Sequence, residues 1–253
     1  MELKRLMPRI VKVRVRPQFT SGPPDPAKAV RWWSEDHYVG FESVRALRWL
    51  GVNWVKWKYR KFPDAYFVPA TDVVELVKEM SVAGILSPLT KSSRVFEGGC
   101  NLGRNLWALR EAFDCEVTGM DVSAKAIEMA RDKIWKGRDR VTLHLDNLLT
   151  TKWFEEIPDG HFDLALTRWH LIHIPRSPEK SKYLAHMKRI AKTLLILEPV
   201  SAERTGTIQY QMGEQICHSW DDWAREYDLT EFSPRTQFEN TAVFYSRRGR
   251  EAS

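Results

Sequence analysis

Between residues 93 and 199 the sequence alternates short apolar runs with amphipathic helical patterns, and this alternation restricts the fold more than any other feature. The apolar runs occupy residues 93–97, 116–121, 141–145, 162–167 and 193–199. Short runs of this kind, separated by helices, are typical of parallel strands whose two faces are both covered. The pattern therefore predicts a doubly wound α/β sheet that binds ligands at the carboxyl ends of its strands.

The first predicted strand ends at Glu97 and runs into a glycine-rich turn, which a helical pattern follows. The turn reads Gly98-Gly99-Cys100-Asn101-Leu102-Gly103. Glycines allow positive φ angles and let a ligand approach the backbone, while the next helix offers unpaired N–H groups in its first turn. The stretch predicts a nucleotide-binding turn, with a ligand-free turn as the alternative. Its glycine spacing departs from the G-x-G-x-x-G fingerprint of nicotinamide-dependent oxidoreductases, which disfavours that class.

The alternate positions Glu97, Gly99, Asn101 and Gly103 resemble motif I of the class I S-adenosylmethionine-dependent methyltransferases, with Asn101 replacing the middle glycine. Asparagine is the residue with a side chain that best tolerates the left-handed region, so the turn is preserved. The resemblance covers about residues 93–247 and implies a Rossmann-like sheet of seven strands, mostly parallel with the last strand antiparallel. It implies methyl transfer with S-adenosyl-L-methionine as cofactor. The implied cofactor-binding residues are Glu97, Gly99, Cys100, Asn101, Gly103, Asn105, Asp121, Val122, Asp146, Asn147 and Thr167.

Two further acids end predicted strands at the same edge of the sheet. Asp121 ends the second strand, where one carboxylate can accept both hydroxyl groups of a ribose. Capping of the next helix is the alternative for Asp121. Asp146, followed by Asn147, ends the third strand, where the resemblance implies contact with the adenine. Three acids at successive strand ends, together with the glycine turn, are more specific than any one of them.

Two histidines follow the fourth predicted strand and are candidate general bases. His170 lies nearer the strand end than His173 and is the first choice. Imidazole titrates near neutral pH, so either side chain suits removal of a proton from a methyl acceptor, with a purely structural role as the alternative. Arg168 is a candidate contact for an anionic acceptor, unless it pairs with a nearby acid, and Trp169 is a candidate stacking surface.

The first part of the chain matches no motif, and its aromatic content is high. Five of the 11 tryptophans fall between residues 32 and 57, within a segment that reads as helical. This predicts an N-terminal helical aromatic cap, with residues 1–84 as an extension and residues 85–253 as the cofactor-binding core. Candidate substrate contacts in the cap are Trp33, His37 and Tyr38. Packing of the aromatic residues onto the core is the alternative.

The net charge of the chain bears on the class of methyl acceptor. The formal net charge of +6 permits a phosphate-bearing partner, but a compact domain with an aromatic cap favours a small-molecule acceptor. A nucleic-acid or other phosphate-bearing acceptor is the alternative, as is a non-catalytic binding protein of the same fold.

Three cysteines without metal-ligand spacing predict reduced thiols and no metal centre. Without a signal-peptide core or about 18 consecutive apolar residues, the expectation is a cytoplasmic protein outside the membrane. The oligomeric state is left open.

Overall fold

Seven strands form one mixed sheet in the computed structural model, which describes residues 70–174, 176–199, 226–236 and 241–248. In chain order they are β1 (Arg94–Gly98), β2 (Glu116–Asp121), β3 (Val141–Leu145), β4 (Phe162–Arg168), β5 (Ala191–Pro199), β6 (Thr230–Phe232) and β7 (Thr241–Arg247). Their order across the sheet is β3-β2-β1-β4-β5-β7-β6. The first five strands are parallel, and β7 is antiparallel to both of its neighbours. The predicted doubly wound sheet is therefore confirmed.

Helices cover both faces of this sheet. They are α1 (Thr71–Val82), α2 (Arg104–Phe113), α3 (Ala124–Met129), α4 (Trp153–Glu156) and α5 (Pro178–Ile190), with a π-helical turn at Ala130–Ile134 and a 3-10 turn at Leu171–His173. One apolar cluster lies between the sheet and α1, α2 and α3, and a second lies between the sheet and α4 and α5. None of the helices in the described ranges has the length and hydropathy that a membrane crossing requires.

Helix α1 lies within the predicted extension of residues 1–84 and packs into the core. Its buried Val73 and Met80 belong to the same apolar cluster as Leu109 of α2 and Leu166 of β4. The division into an extension and a core at residue 85 stays a prediction. The aromatic cap, with its candidate substrate contacts, lies outside the described residues. Those contacts are Trp33, His37 and Tyr38.

The helix that periodicity predicts for residues 123–136 changes its winding part-way. Helix α3 ends at Met129 and continues as the π-helical turn, in which the Trp135 amide donates to the Ala130 carbonyl over 2.8 Å. Trp135 is only 5% exposed, and its Nε1 donates to the Leu102 carbonyl over 3.2 Å. The wider winding thus places the indole against the turn that follows β1. Apolar spacing carries no signal for such a change, because it assumes 3.6 residues per turn throughout.

The strand order reverses between β1 and β4, which are neighbours in the sheet. The carboxyl ends of the five parallel strands lie along one edge on either side of this point. Ligands of doubly wound sheets bind in the crevice that such a reversal creates. The residues at or just beyond these ends are Asp146, Asp121, Gly98, Arg168 and Glu198, in spatial order. This edge is where the candidate site is built.

Candidate functional site

The turn after β1, residues 98–103, is called here the glycine loop, and it adopts left-handed backbone angles at alternate positions. The φ angle is +73° at Gly99, +49° at Asn101 and +78° at Gly103. The Asn101 side chain supports this conformation, because its Oδ1 accepts a hydrogen bond of 2.8 Å from the Leu102 amide. The asparagine that departs from the all-glycine pattern therefore has the same backbone geometry as the glycines around it.

Two side chains approach the first glycines of this loop very closely. A Cβ atom added to Gly99 would lie 2.3 Å from Cγ of His170. A Cβ atom added to Gly98 would lie 2.1 Å from the Tyr183 hydroxyl oxygen. Packing therefore requires glycine at both positions, and it places His170 and Tyr183 against the loop. Sequence reasoning had not singled out Tyr183, which lies on the buried stripe of α5.

Glu97 is buried beside the loop and has one carboxylate oxygen without a partner. The side chain is 1% exposed, and its Oε1 accepts a hydrogen bond of 2.5 Å from Nδ2 of Asn105. Its Oε2 has no hydrogen-bond partner among the described residues. Burial raises the pKa of Glu97 to about 8, although the Asn105 hydrogen bond and the Arg168 charge oppose this shift. An unpaired buried oxygen is costly and marks a place where a donor is expected.

Asp121, at the end of β2, fixes the glycine loop in place. Its Oδ2 accepts from the Asn101 amide and its Oδ1 from the Ser123 amide, each over 2.8 Å. Burial raises the pKa of Asp121, while hydrogen bonds from Ser123 and Asn101 oppose the shift. The N-cap of α3 is Ser123, whose hydroxyl accepts from the Ala126 amide. Asp121 therefore precedes the cap, and the partly buried Val122 lies between them.

Asp146 and Asn147 form a hydrogen-bonded turn beyond β3. The exposed Asp146 accepts from the Asn147 amide over 2.7 Å and from the Thr151 hydroxyl. Asn147 accepts from the Leu149 amide through its own Oδ1 over 3.0 Å. Leu145, just before this turn, is 49% exposed and offers an apolar surface beside the acid. The ends of β1, β2 and β3 are thus brought together, as the sequence predicted for the three acids.

Two of the predicted cofactor-binding residues have buried side chains. Cys100 is 4% exposed, and its Sγ would lie 2.7 Å from a Cβ atom added to Gly119 of β2. Burial raises the pKa of the Cys100 thiol well above its ordinary value. Thr167 is fully buried near the end of β4. Cys100 therefore contributes to the loop through its backbone, while its thiol packs in the core.

The turn after β4, residues 169–174, is called here the β4 turn, and Glu198 of β5 binds its backbone. Glu198 is fully buried. Its Oε1 accepts from the amides of His170, over 2.9 Å, and Leu171, over 2.8 Å, and its Oε2 accepts from the Ile172 amide over 3.3 Å. Sequence reasoning missed this residue, although Glu198 follows an apolar run in the same way as the three acids it did identify.

Lys180 of α5 holds the other end of the β4 turn. Its buried Nζ donates to the carbonyls of Leu171, over 2.9 Å, and Ile174, over 2.8 Å. Burial lowers the pKa of Lys180 to about 7, and the charge of Glu198 opposes the shift. Burial raises the pKa of Glu198 to about 7, against its backbone hydrogen bonds and the Lys180 charge. Sequence reasoning missed Lys180 too, although it lies on the buried stripe of α5 beside Tyr183.

Both candidate bases lie within the β4 turn. The His170 ring packs edge-on against Tyr183, with 6.0 Å between the ring centroids, and its Nε2 has no hydrogen-bond partner among the described residues. Burial and the charge of Lys180 lower the pKa of His170 to about 4. Burial and the neighbouring His170 lower the pKa of His173 to about 3, although its hydrogen bond to the Trp169 backbone opposes the shift. Both imidazoles are therefore neutral at pH 7.

Arg168 and Trp169 already have partners within the protein. Arg168 donates from Nη1 and Nη2 to the two carboxylate oxygens of Asp72, over 3.0 and 2.6 Å, and from Nη1 to Oδ1 of Asn105 over 3.4 Å. Trp169 has a left-handed φ of +53°, donates from Nε1 to the Thr241 hydroxyl over 3.0 Å and stays 49% exposed. Pairing with an acid is the alternative that the sequence offered for Arg168, and its contact with an acceptor stays a prediction.

A family model described as "Methyltransferase domain" matches residues 95–193 of the chain. The matched segment contains the glycine loop, the acids at the ends of β1, β2 and β3, and the β4 turn. Residues 95–193 are therefore similar to the methyltransferase domains of this family. Within the described residues, no group of three His, Cys, Asp or Glu side chains is arranged to hold a metal ion.

Individual proteins match the chain over shorter or more divergent stretches. The 27-O-demethylrifamycin SV methyltransferase of Amycolatopsis mediterranei (strain S699) is 31% identical over 96 residues, which cover 37% of this chain and 34% of that protein. The chain thus spans about a third of the length of this curated relative.

Among solved structures, the cyclase SpnF has a TM-score of 0.51 at 20% identity, covering 65% of this chain and 59% of its own. The glycopeptide N-methyltransferase MtfA, solved with S-adenosylmethionine, has a TM-score of 0.51 at 13% identity, covering 71% of this chain and 94% of its own. At these identities the likeness concerns the fold of the domain.

Proposed function

We propose that the chain is an S-adenosylmethionine-dependent methyltransferase that acts on a small-molecule acceptor. The observation that carries the proposal is the unpartnered Oε2 of Glu97, buried beside a glycine loop with three left-handed residues. A buried carboxylate of this kind suits a cationic ligand, because a nearby positive charge favours its ionised form. S-adenosylmethionine is such a ligand, since it carries an ammonium group and a sulfonium.

The residues that would hold the cofactor lie at the ends of β1, β2 and β3. We assign Glu97 to the cationic part, Asp121 to the ribose, and Asp146 with Asn147 to the base, while the loop backbone gives close approach. Bound S-adenosylmethionine supplies a methyl group on a positively charged sulfur. The protein therefore needs mainly to orient the acceptor and to accept a proton where the acceptor carries one.

The β4 turn supplies the acceptor side in this proposal. His170 is neutral at pH 7, and its unpartnered Nε2 can accept a proton from an acceptor O–H or N–H group. We assign His170 as the base and His173 as its structural neighbour. Trp169, with half of its surface exposed, offers a flat face to a planar acceptor. The 27-O-demethylrifamycin SV methyltransferase, as a relative that acts on a small molecule, supports this choice of acceptor class.

Calorimetric titration with S-adenosylmethionine and with NADH tests the cofactor. We expect micromolar-range binding of S-adenosylmethionine alone, and loss of that binding in Asp121→Ala. Asp163→Ala is the matched control, because Asp163 also accepts from a backbone amide, that of Arg94 over 2.9 Å, but lies near the opposite end of β4. Binding of neither ligand would favour the non-catalytic alternative, and equal losses in both variants would indicate general destabilisation.

Transfer of labelled methyl groups from S-adenosylmethionine to small phenols, amines and nucleic acid tests the acceptor class. We expect turnover on a small molecule that falls in His170→Ala while cofactor affinity is unchanged. Full turnover in that variant would exclude His170 as the general base. Turnover on nucleic acid, with binding that weakens steeply as salt rises, would favour the phosphate-bearing alternative.

A further inference from the structure

Four polar side chains connect helix α1 to the buried carboxylate of Glu97 by consecutive hydrogen bonds. Asp72, near the start of α1, accepts both guanidinium nitrogens of Arg168, over 3.0 and 2.6 Å. Arg168 in turn donates to Oδ1 of Asn105 over 3.4 Å, and Asn105 donates from Nδ2 to Oε1 of Glu97 over 2.5 Å. Residues from α1, β4, α2 and β1 therefore meet in one hydrogen-bond chain, which we call the Asp72–Glu97 chain.

The chemistry of Arg168 fixes the orientation of the Asn105 amide. A guanidinium group has only donors, so it selects the amide orientation in which Oδ1 faces Arg168. The Nδ2 donor then faces Glu97, whose carboxylate can accept it. The reversed amide would place its NH₂ group against the guanidinium, which has no acceptor, and would remove the Nδ2 donor from Oε1 of Glu97. The position of Arg168 therefore decides whether Asn105 donates to Oε1 of Glu97.

Arg168 itself depends on Asp72. The Asp72 and Arg168 side chains are 35% and 23% exposed, so water screens their two-pronged pairing only in part. Although burial alone would raise it, the hydrogen bond and charge of Arg168 lower the pKa of Asp72 below its ordinary value. Asp72 therefore stays ionised at neutral pH. It holds Arg168 in the geometry that the Asn105 contact requires.

We propose that Asp72 and Arg168 are positioning residues for cofactor binding, acting through the Asn105 amide on the Glu97 carboxylate. The inference rests on the proposed function, because Glu97 is the assigned contact for the cationic part of S-adenosylmethionine. It makes the helix that precedes the glycine loop in the chain a determinant of cofactor affinity. Arg168 thereby acts on the cofactor side of the site, in addition to any acceptor contact.

The test measures S-adenosylmethionine affinity and the protons released on binding, by titration calorimetry in buffers of different ionisation enthalpy between pH 6 and pH 9. We expect Arg168→Met to weaken binding about 10- to 100-fold, by analogy with the removal of groups that orient metal-binding side chains. Because the Arg168 charge favours ionised Glu97, its removal should also move the midpoint of proton release to higher pH. A residue needed only for folding would leave that midpoint unchanged.

A double-mutant cycle tests whether Asp72 acts through Arg168. Asp72→Asn alone should weaken binding by about 3- to 10-fold, and in the Arg168→Met background it should have almost no further effect. Arg168→Lys keeps the charge without the two-pronged geometry, so it should weaken binding while leaving the midpoint near that of the wild type. It also replaces Arg168→Met if that variant fails to fold.

Arg110→Met is the matched control, because Arg110 pairs with Asp139 at the same distance of 2.6 Å and its described contacts do not involve Glu97 or Asn105. It should bind S-adenosylmethionine as the wild type does. Unchanged affinity in Arg168→Met and Arg168→Lys, or additive effects in the cycle, would overturn the positioning role. Failure of the wild type itself to bind S-adenosylmethionine would instead overturn the proposed function.

Discussion

The glycine loop and the β4 turn lie side by side at the carboxyl edge of the sheet, but different interactions hold them. The glycine loop has left-handed backbone angles at residues suited to them, and its backbone makes single hydrogen bonds with the Asp121 carboxylate and the Trp135 indole. The β4 turn is held from outside, by the buried Glu198 and Lys180. A loop of the first kind should tolerate changes that respect its backbone angles. A turn of the second kind should fail when either charged group is removed.

Removal of Glu198 should be the most destabilising change at this edge. Glu198→Ala leaves three backbone amides without an acceptor and removes the charge that favours ionised Lys180, and each unsatisfied buried amide costs about 1–3 kcal/mol. Urea unfolding measures the loss. Glu198→Gln keeps an acceptor and should lose less, while substitution of the exposed Glu128 should stay within about 0.5 kcal/mol. A loss below about 1 kcal/mol in Glu198→Ala would show that the β4 turn does not depend on Glu198 for its stability.

Glu97, the acid beside the glycine loop, should make the free energy of unfolding depend on pH. The pKa of Glu97 is raised from 4.5 to about 8, so the folded protein binds this proton more tightly than the unfolded chain does. Its contribution to stability is therefore fully present below pH 4.5 and is lost as pH rises through about 8. The expected loss is on the order of 4 kcal/mol.

The difference in unfolding free energy between wild type and Glu97→Gln, followed across pH 4.5 to 8 without ligand, isolates this contribution from that of Glu198. The wild type should lose stability relative to the variant as pH rises. A difference that stays constant with pH would mean that Glu97 is not held in its protonated form.

Contact between the two loops is tested by Gly99→Ala. Both the positive φ of +73° and the clash with His170 oppose a Cβ atom there, and together they should cost about 2–3 kcal/mol. Gly137→Ala is the matched control, because Gly137 has a φ of +74° with no atom near its added Cβ, so only strain remains, about 1 kcal/mol. Thermal unfolding compares them. In a His170→Ala background most of the extra cost should disappear, because only Cβ of residue 170, 2.9 Å from the added atom, remains close. If the cost persists in full, the His170 ring does not contact the glycine loop.

The smallest effect is expected for Asn101→Gly. Both residue types accept the left-handed φ of +49°, so stability should change by less than about 0.5 kcal/mol. Affinity for S-adenosylmethionine should change by less than about twofold. Asn101→Ala should instead lose about 1 kcal/mol, because a Cβ without a supporting amide is disfavoured there. If glycine and alanine had equal effects, the backbone angle would not be what shapes the loop.

The same contrast explains what sequence alone could predict. Apolar runs and glycine spacing are local signals, so β2 and β3 were placed correctly, and three acids were assigned to one edge of the sheet. The roles of Glu198 and Lys180 arise from tertiary placement, which a local pattern does not encode. The pairing of Arg168 with Asp72, 96 residues apart along the chain, is a further example. Sequence identified Arg168 but not the acid that orients it.

The π-helical turn at Ala130–Ile134 has a consequence for comparing this chain with its relatives. Each residue of an α-helix advances the chain by about 100° around the axis. Loss of one residue from the turn would therefore swing Trp135 away from the Leu102 carbonyl, even with every other residue conserved. The contact depends on segment length, so in a related chain whose segment is a regular α-helix the residue aligned with Trp135 would point in another direction. A one-residue insertion before a tryptophan is thus a marker for chains that support their glycine loop in this way.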